Sequence, residues 1–178
     1  MEQYLFQSSR IGFRLWSDND LTPLAQLNAD PAVMKYFPST VNESDTAKWI
    51  NKQNGDYKKY GYCYYAVDLL DTHELIGFIG LSYKELDTDF SPCTDIGWRL
   101  ATKFQGKGLA TEGAERCLEF GFESLKLKEI VAIAPEVNLP SINVMQKIGM
   151  KFECHFEHPQ LSDYPDLKKC VLYKSRYQ

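Results

Sequence analysis

Gln105-Gly106-Lys107-Gly108-Leu109-Ala110-Thr111-Glu112 is the stretch from which the fold can be read. It joins a strand expected over Thr94 to Leu100 to a helix expected over Gly108 to Leu125. Glycine at 106 and 108 lacks the Cβ that would hold a phosphate away from the backbone. Unpaired N–H groups and the positive end of the helix dipole converge there, so an anion is favoured. Lys107 adds a mobile positive charge. The stretch reads as a phosphate-binding turn, and the question is which phosphate.

Working outward, Glu129 to Ala134 is a continuous apolar strand of the kind buried on both faces. Strand, glycine turn, helix and strand make a βαβ crossover, expected to be right-handed. Upstream, Ile11 to Leu15 alternates as a strand, and Ser17 to Asp20 supplies caps for a helix over Leu21 to Ala29. A short helical turn is expected over Ala32 to Tyr36, and a longer helix over Asp45 to Tyr60, closed by Gly61. Cys63 to Leu69 and Glu74 to Glu85 form a hairpin, with Gly77 and Gly80 signalling a bulge or a close backbone approach. Downstream, Ser141 begins and caps a helix that runs to Ile148 and is closed by Gly149. Lys151 to Phe156 and Lys169 to Lys174 are final strands, expected to be antiparallel. This order predicts an α/β (α+β) domain with a mixed, mostly antiparallel sheet of about seven strands flanked by helices.

The 178 residues suit one well-buried domain. A net charge of −4 argues against a nucleic-acid partner held mainly by phosphate contacts. Apolar runs are too short to span a membrane, and Met1-Glu2-Gln3-Tyr4 lacks a signal-peptide pattern. Cys63, Cys93, Cys117, Cys154 and Cys170 are odd in number and without C-x-x-C spacing, so they read as free thiols in a reducing cytoplasm. The dispersed His73, His155 and His158 give no metal-ligand pattern, and no metal is expected.

Three phosphate cradles fail against the turn. Walker A requires G-x-x-x-x-G-K-[ST], but Ala101 stands five residues before Gly106 and Gly108 follows Lys107. A dinucleotide fingerprint belongs after the first strand of its unit and needs a ribose-binding acid after the next, and neither condition is met. A kinase glycine loop requires a much longer chain. Gln105-x-x-Gly108-x-Ala110, in contrast, resembles the Q/R-x-x-G-x-G/A pattern of the GCN5-related N-acetyltransferases (GNAT). Asp95-Ile96-Gly97-Trp98 is similar to the E-I-G-Y strand of that family. Asn138-x-x-Ser141-x-x-Val144-x-x-Lys147-x-Gly149-Met150 resembles its N-x-x-S-x-x-V-x-x-K-x-G-[FM] stretch. Arg14-Leu15, Asp20, Leu24 and Asp30-Pro31-x-Val33 resemble the RimJ/RimL branch, and the likeness spans about residues 9 to 175.

The resemblance implies a splayed sheet with acetyl-CoA between the strands 94–100 and 129–134. Ile96, Trp98 and Leu100 would offer backbone groups to the pantetheine arm, as to an added strand. Gln105, Gly106, Lys107, Gly108, Leu109, Ala110 and Thr111 would seat the pyrophosphate, with the N–H groups of Gln105 to Ala110 as donors, and Asn138 would contact the arm. Arg99 and Lys103 read as exposed charges. The implied reaction is direct attack of a primary amine, on a small molecule or a protein N-terminus, upon the thioester. Asp95 stands at the strand carboxylate and is the first candidate base, with Glu136 its rival. Where the family often has a tyrosine acid, seven residues after the asparagine, this chain has Met145, so Ser141 is the remaining hydroxyl. The alternative is a non-catalytic acyl-CoA sensor. Glu157, Asp163, Asp166, Tyr57, Tyr60 and Tyr164 are expected to form an acidic, aromatic rim suited to a cationic acceptor. The chain is expected to be a monomer or homodimer.

Overall fold

Ten residues from Leu75 to Lys84 make the longest strand, buried along most of its length. The computed structural model describes residues 4–177, and this strand lies near the middle of its eight-stranded sheet. In chain order the elements are β1 (Phe6–Gln7), β2 (Ile11–Arg14), α1 (Leu21–Ala29), α2 (Glu43–Tyr60), β3 (Tyr64–Leu69) and β4 (Leu75–Lys84). They continue as β5 (Cys93–Leu100), α3 (Leu109–Glu119), β6 (Glu129–Pro135), α4 (Leu139–Lys147), β7 (Lys151–Glu157) and β8 (Lys169–Arg176). The sheet order is β1-β2-β3-β4-β5-β6-β8-β7.

Every neighbouring pair is antiparallel except β5 and β6, which run parallel and meet at one register pair, Asp95 opposite Val131. Beyond that pair β5 continues to Leu100 and β6 to Pro135 without joining. β4 holds β5 from one side and β8 holds β6 from the other, so the gap is fixed by full ladders on both flanks.

Each face of the sheet carries its own apolar layer. On one face Phe13, Tyr65, Ile79 and Ile96 pack with Ala114 and Cys117 of α3. On the other, Trp16, Leu24, Ile50, Tyr64 and Phe78 pack around α1 and α2. Side chains alternate along β5, so Ile96 and Leu100 enter the first layer while Asp95, Gly97 and Arg99 face the second.

The sheet has one strand more than the pattern suggested, the two-residue β1 paired with β2 at the edge. Residues 32–36 form the expected turn and go no further into helix: Met34 N donates to Asp30 O at 3.0 Å, and the few residues between Pro31 and Pro38 cannot repay helix nucleation. The helix expected to reach Leu125 leaves regular α geometry at Glu119 and finishes in a wider π-type turn, Phe120–Ser124. That turn brings Gly121 so close to β6 that a Cβ would lie 2.7 Å from Ile130 Cδ1. Gly77 gives both features expected of it: the register shifts opposite it at Val67/Asp68, and a Cβ there would lie 2.1 Å from the Arg99 carbonyl oxygen.

Candidate active site

The gap beside β5 exposes backbone that a sheet would normally pair. The Ala101 N–H donates to Ile76 O at 3.0 Å, so that peptide faces β4. Alternation then turns Arg99, Gly97 and Asp95 toward β4 and the peptide groups of Ile96, Trp98 and Leu100 toward the gap. Those are the residues expected to meet an extended ligand.

The turn that follows is a cradle of unpaired donors. Gly106 (φ 72°) and Gly108 (φ 77°) hold left-handed backbone, and no side chain of the described residues caps the α3 N-terminus. Among the described residues, no acceptor takes the N–H groups from Gly106 to Thr111. Gln105 differs from expectation. Its N–H closes the preceding turn on Thr102 O at 3.1 Å, and its Nε2 donates to Leu100 O at 2.9 Å. Gln105 therefore braces the cradle, and the donor row begins one residue later. Lys107 is exposed, with its Nζ 5.7 Å from the Phe104 ring centroid.

A latch invisible in the local pattern holds this turn. The Glu112 carboxylate accepts from Ser8 Oγ (2.7 Å), Ser9 Oγ (2.9 Å), Arg10 N (2.8 Å) and Arg10 Nε (2.6 Å). Arg10 Nη1 also donates to Lys107 O at 3.1 Å. Burial alone would raise the Glu112 carboxyl, but these bonds outweigh it and bring it down to about 2.

Two cavities adjoin along β5. The first, about 360 Å³, follows Trp98 and Leu100 past the glycine turn to the start of α4. The second, about 290 Å³, is floored by Asp95 and Gly97 and walled by Trp49, Tyr64, Phe78 and Met145. Tyr36, Phe37, Trp98, Arg99, Asn138 and Ser141 line both. A larger concavity, about 620 Å³, shares no residue with these. It surrounds Arg14, whose charge is consumed by Asp20 at 2.7 Å and Asp68 at 2.6 Å.

Asp95 is the buried acid of the second cavity. The Tyr64 hydroxyl donates to its Oδ2, while Oδ1 is buried and has no partner among the described residues. Burial pushes the carboxyl up to about 6, against weaker lowering by the Lys84 charge, the Tyr64 hydroxyl and the nearby Ile133 N–H. Gly97 makes the Tyr64 contact feasible, because a Cβ there would meet the Tyr64 ring at 3.0 Å. Tyr64 arrives from β3, so its partnership with Asp95 comes from sheet order; an aromatic in a buried strand carries no separate signal.

Several expectations are corrected here. Glu136 is half-exposed, with its Oε2 3.6 Å from His155 Nδ1, and it lines neither cavity; its backbone pairs outward, toward Lys169. Ser141 is not the cap of its helix: Asn138 is, accepting from Ser141 N at 3.2 Å. Arg99 is no exposed charge. Its Nη1 donates to Asn28 Oδ1 at 2.7 Å, its Nε is buried without a partner among the described residues, and burial lowers its pKa to about 10. The proposed rim of Glu157, Asp163, Asp166, Tyr57, Tyr60 and Tyr164 lines neither cavity. Tyr57 instead packs on Tyr65 and Tyr60 on Tyr83. Met145, at the position of the family's tyrosine, is a buried wall that cannot donate a proton. Tyr36, on a turn, lines both cavities as Ser141 does, a second hydroxyl-bearing residue that sequence reading missed.

A splayed parallel pair, a cradle of N–H donors at one end and a buried carboxylate beyond it make an arrangement able to take an extended, anion-bearing ligand along a sheet edge. The sequence pattern described as acetyltransferase (GNAT) domain matches residues 10–151, and the chain belongs to that family. It is accordingly an acetyl-CoA-dependent N-acetyltransferase. It is 36% identical over 152 residues to YnaD of Bacillus subtilis, described as an uncharacterized N-acetyltransferase, covering 84% of each chain. A GNAT-family acetyltransferase structure from Bacillus anthracis superposes with a TM-score of 0.80 at 28% identity, covering 96% of both chains. The RimL ribosomal L7/L12 α-N-protein acetyltransferase, solved in complex with coenzyme A, shares the fold with a TM-score of 0.77 at 16% identity, over 95% of both chains. Among the described residues, no helix is long and apolar enough to cross a membrane.

Proposed function

We propose that acetyl-CoA lies in the first cavity, with its thioester at the junction, and that the acceptor amine enters the second and is deprotonated by Asp95. The observation that carries this reading is the unpartnered, buried Asp95 Oδ1 in a cavity contiguous with the N–H cradle. The cradle fits a pyrophosphate by its free donors and its left-handed glycines. The gap-facing groups of Ile96 and Trp98 fit an extended amide-bearing arm. RimL, which shares the fold, was solved in complex with coenzyme A, and this supports the choice of donor.

Acetyl-CoA supplies the acetyl thioester: a C–N bond forms, the C–S bond breaks, and the acceptor ammonium gives up two protons, one of which ends on the thiolate. Asp95 accepts a proton at Oδ1, and its raised pKa suits a base near neutrality. Tyr64 holds the other oxygen and so orients the carboxylate. The Trp98 N–H faces the gap and is placed to polarise a carbonyl. Ser141 and Tyr36 line both cavities and are the candidate hydroxyls for returning a proton to the departing sulfur.

The resemblance of the Arg14-Leu15 to Val33 motif supports the RimJ/RimL branch under this reading, and the five free thiols suit a reducing cytoplasm. The test measures acetyl-CoA affinity by calorimetry and thiol release against a panel of amines and N-terminal peptides. Binding with turnover of an amine is expected. Binding without turnover of any amine would favour an acyl-CoA sensor, and no binding would overturn the cofactor placement.

A further inference from the structure

The acceptor cavity has an unusual charge pattern for an enzyme that receives an ammonium. Among the described residues Asp95 is its one carboxylate, yet two cations line it with Asp95, Lys84 and Arg99. Among the described residues, neither cation is in a salt bridge. Sheet register fixes their order. Ser82 pairs with Asp95, Lys84 with Cys93 and Phe78 with Arg99, so Lys84, Asp95 and Arg99 share one face. Lys84 lies two strand positions from Asp95, about 7 Å, and Arg99 four positions the other way, about 13 Å.

The aromatic wall does not offer itself to a cation. Lys84 Nζ already sits 5.2 Å from the Tyr64 ring centroid. The Arg99 guanidinium sits 4.1 Å from the Phe37 centroid and 5.2 Å from that of Phe78. Trp49 packs on Phe78 with centroids 4.9 Å apart. These rings already face the chain's own cations and one another, so an incoming polyamine would meet two positive charges and a single acid. Arg99 stands at the junction, toward the donor, while Lys84 lines only the acceptor side. At about 290 Å³ the cavity is at the small end of ligand pockets, a size for one compact molecule.

We propose that the acceptor is a small amine carrying its own carboxylate, an α-amino acid, with its ammonium at Asp95, its carboxylate at Lys84 and its side chain against the Trp49–Phe78 wall. The inference rests on the acetyltransferase reading above and specifies its substrate class. The transfer is the one already written; Lys84 enters only as a charge that places the acceptor. A peptide N-terminus presents a neutral amide where Lys84 stands, and a polyamine presents another ammonium, so both lose this contact.

The test compares kcat/KM for a set of α-amino acids, each beside its carboxamide and its decarboxylated amine, with spermidine included, and acetyl-CoA affinity is measured separately. The amino acid is expected to exceed both matched partners by about 10- to 100-fold, the worth of a charge-assisted contact. Lys84→Met is expected to collapse that preference chiefly through KM, and Lys84→Arg to retain it. Higher efficiency with the carboxamide, the decarboxylated amine or spermidine would overturn the inference alone. So would acetyl-CoA binding with turnover of none of them. Loss of acetyl-CoA binding in the wild type would overturn the cofactor reading and this inference with it.

Discussion

The two cavities along β5 are built from different materials. The cradle from Gly106 to Thr111 is backbone: contiguous residues, free N–H groups and two left-handed glycines. The second cavity is side chain: Tyr64 from β3, Phe78 and Lys84 from β4, Asp95 and Arg99 from β5, and Trp49 from α2. A backbone site tolerates changes of side chain and fails when φ is disturbed. A side-chain site fails at single atoms, because each group has one position and one role.

That difference orders the expected effects of substitution. Asp95→Asn should lower kcat by about 10²- to 10⁴-fold, the usual share of a general base, with acetyl-CoA affinity unchanged by calorimetry. Its stability should not fall. The Asp95 carboxyl is raised from 3.8 to about 6, so its contribution is full below 3.8 and lost as pH rises through about 6. At pH 7 the ionised form is the disfavoured one, and Asn removes that cost; a melting temperature at or above wild type is expected. Gly108→Ala should weaken acetyl-CoA binding by up to about tenfold, because a Cβ in left-handed backbone costs about 1–2 kcal/mol and the free turn, relaxing out of that backbone, must regain it on binding. Kinetics with saturating acetyl-CoA should then recover most of kcat.

Glu112→Gln touches the frame of the cradle and should cost about 1–2 kcal/mol by denaturant unfolding at pH 7. Its carboxyl is lowered from 4.5 to about 2, so its contribution is present above 4.5 and lost as pH falls toward 2, and the two proteins should converge in acid. The smallest effects belong to Lys107→Ala and Glu136→Gln, each expected within about threefold of wild type in steady-state kinetics, since exposed charges contribute little. A large loss in either would erase the contrast between a backbone cradle and a carboxylate at Asp95.

The same contrast explains what could be read from the sequence. The glycine turn and the strands on both sides of it are local, so spacing located them; the Asn138-x-x-Ser141 stretch is local too, and its resemblance to the family's pattern marked it. β5 and β6 were visible as strands, but their divergence after Asp95 and Val131 depends on ladders made with β4 and β8. Asp95 was visible as an acid on a strand; its burial and its bond from Tyr64 depend on which strand lies across the sheet. Arg99 looked like surface because alternate strand residues often are. Here the second face is covered by α1 and α2, and Asn28 of α1 reaches it. Glu136 was drawn toward the cleft by proximity in sequence, but one step beyond β6 its peptide pairs with Lys169 and the side chain leaves with it. The Glu112 latch joins residues a hundred positions apart, a distance at which no spacing rule operates.

The most direct measurement is the pH dependence of kcat/KM for wild type and Tyr64→Phe, using acceptors that differ in amine pKa. This parameter reports ionisations of the free enzyme and free substrate. The Tyr64 hydroxyl bond lowers the Asp95 pKa, so its removal must raise it. An acid limb near pH 6 that is common to all acceptors, and that moves upward in Tyr64→Phe, is expected if Asp95 is the base. A limb that follows each acceptor's own pKa and ignores the loss of the Tyr64 hydroxyl would contradict that role.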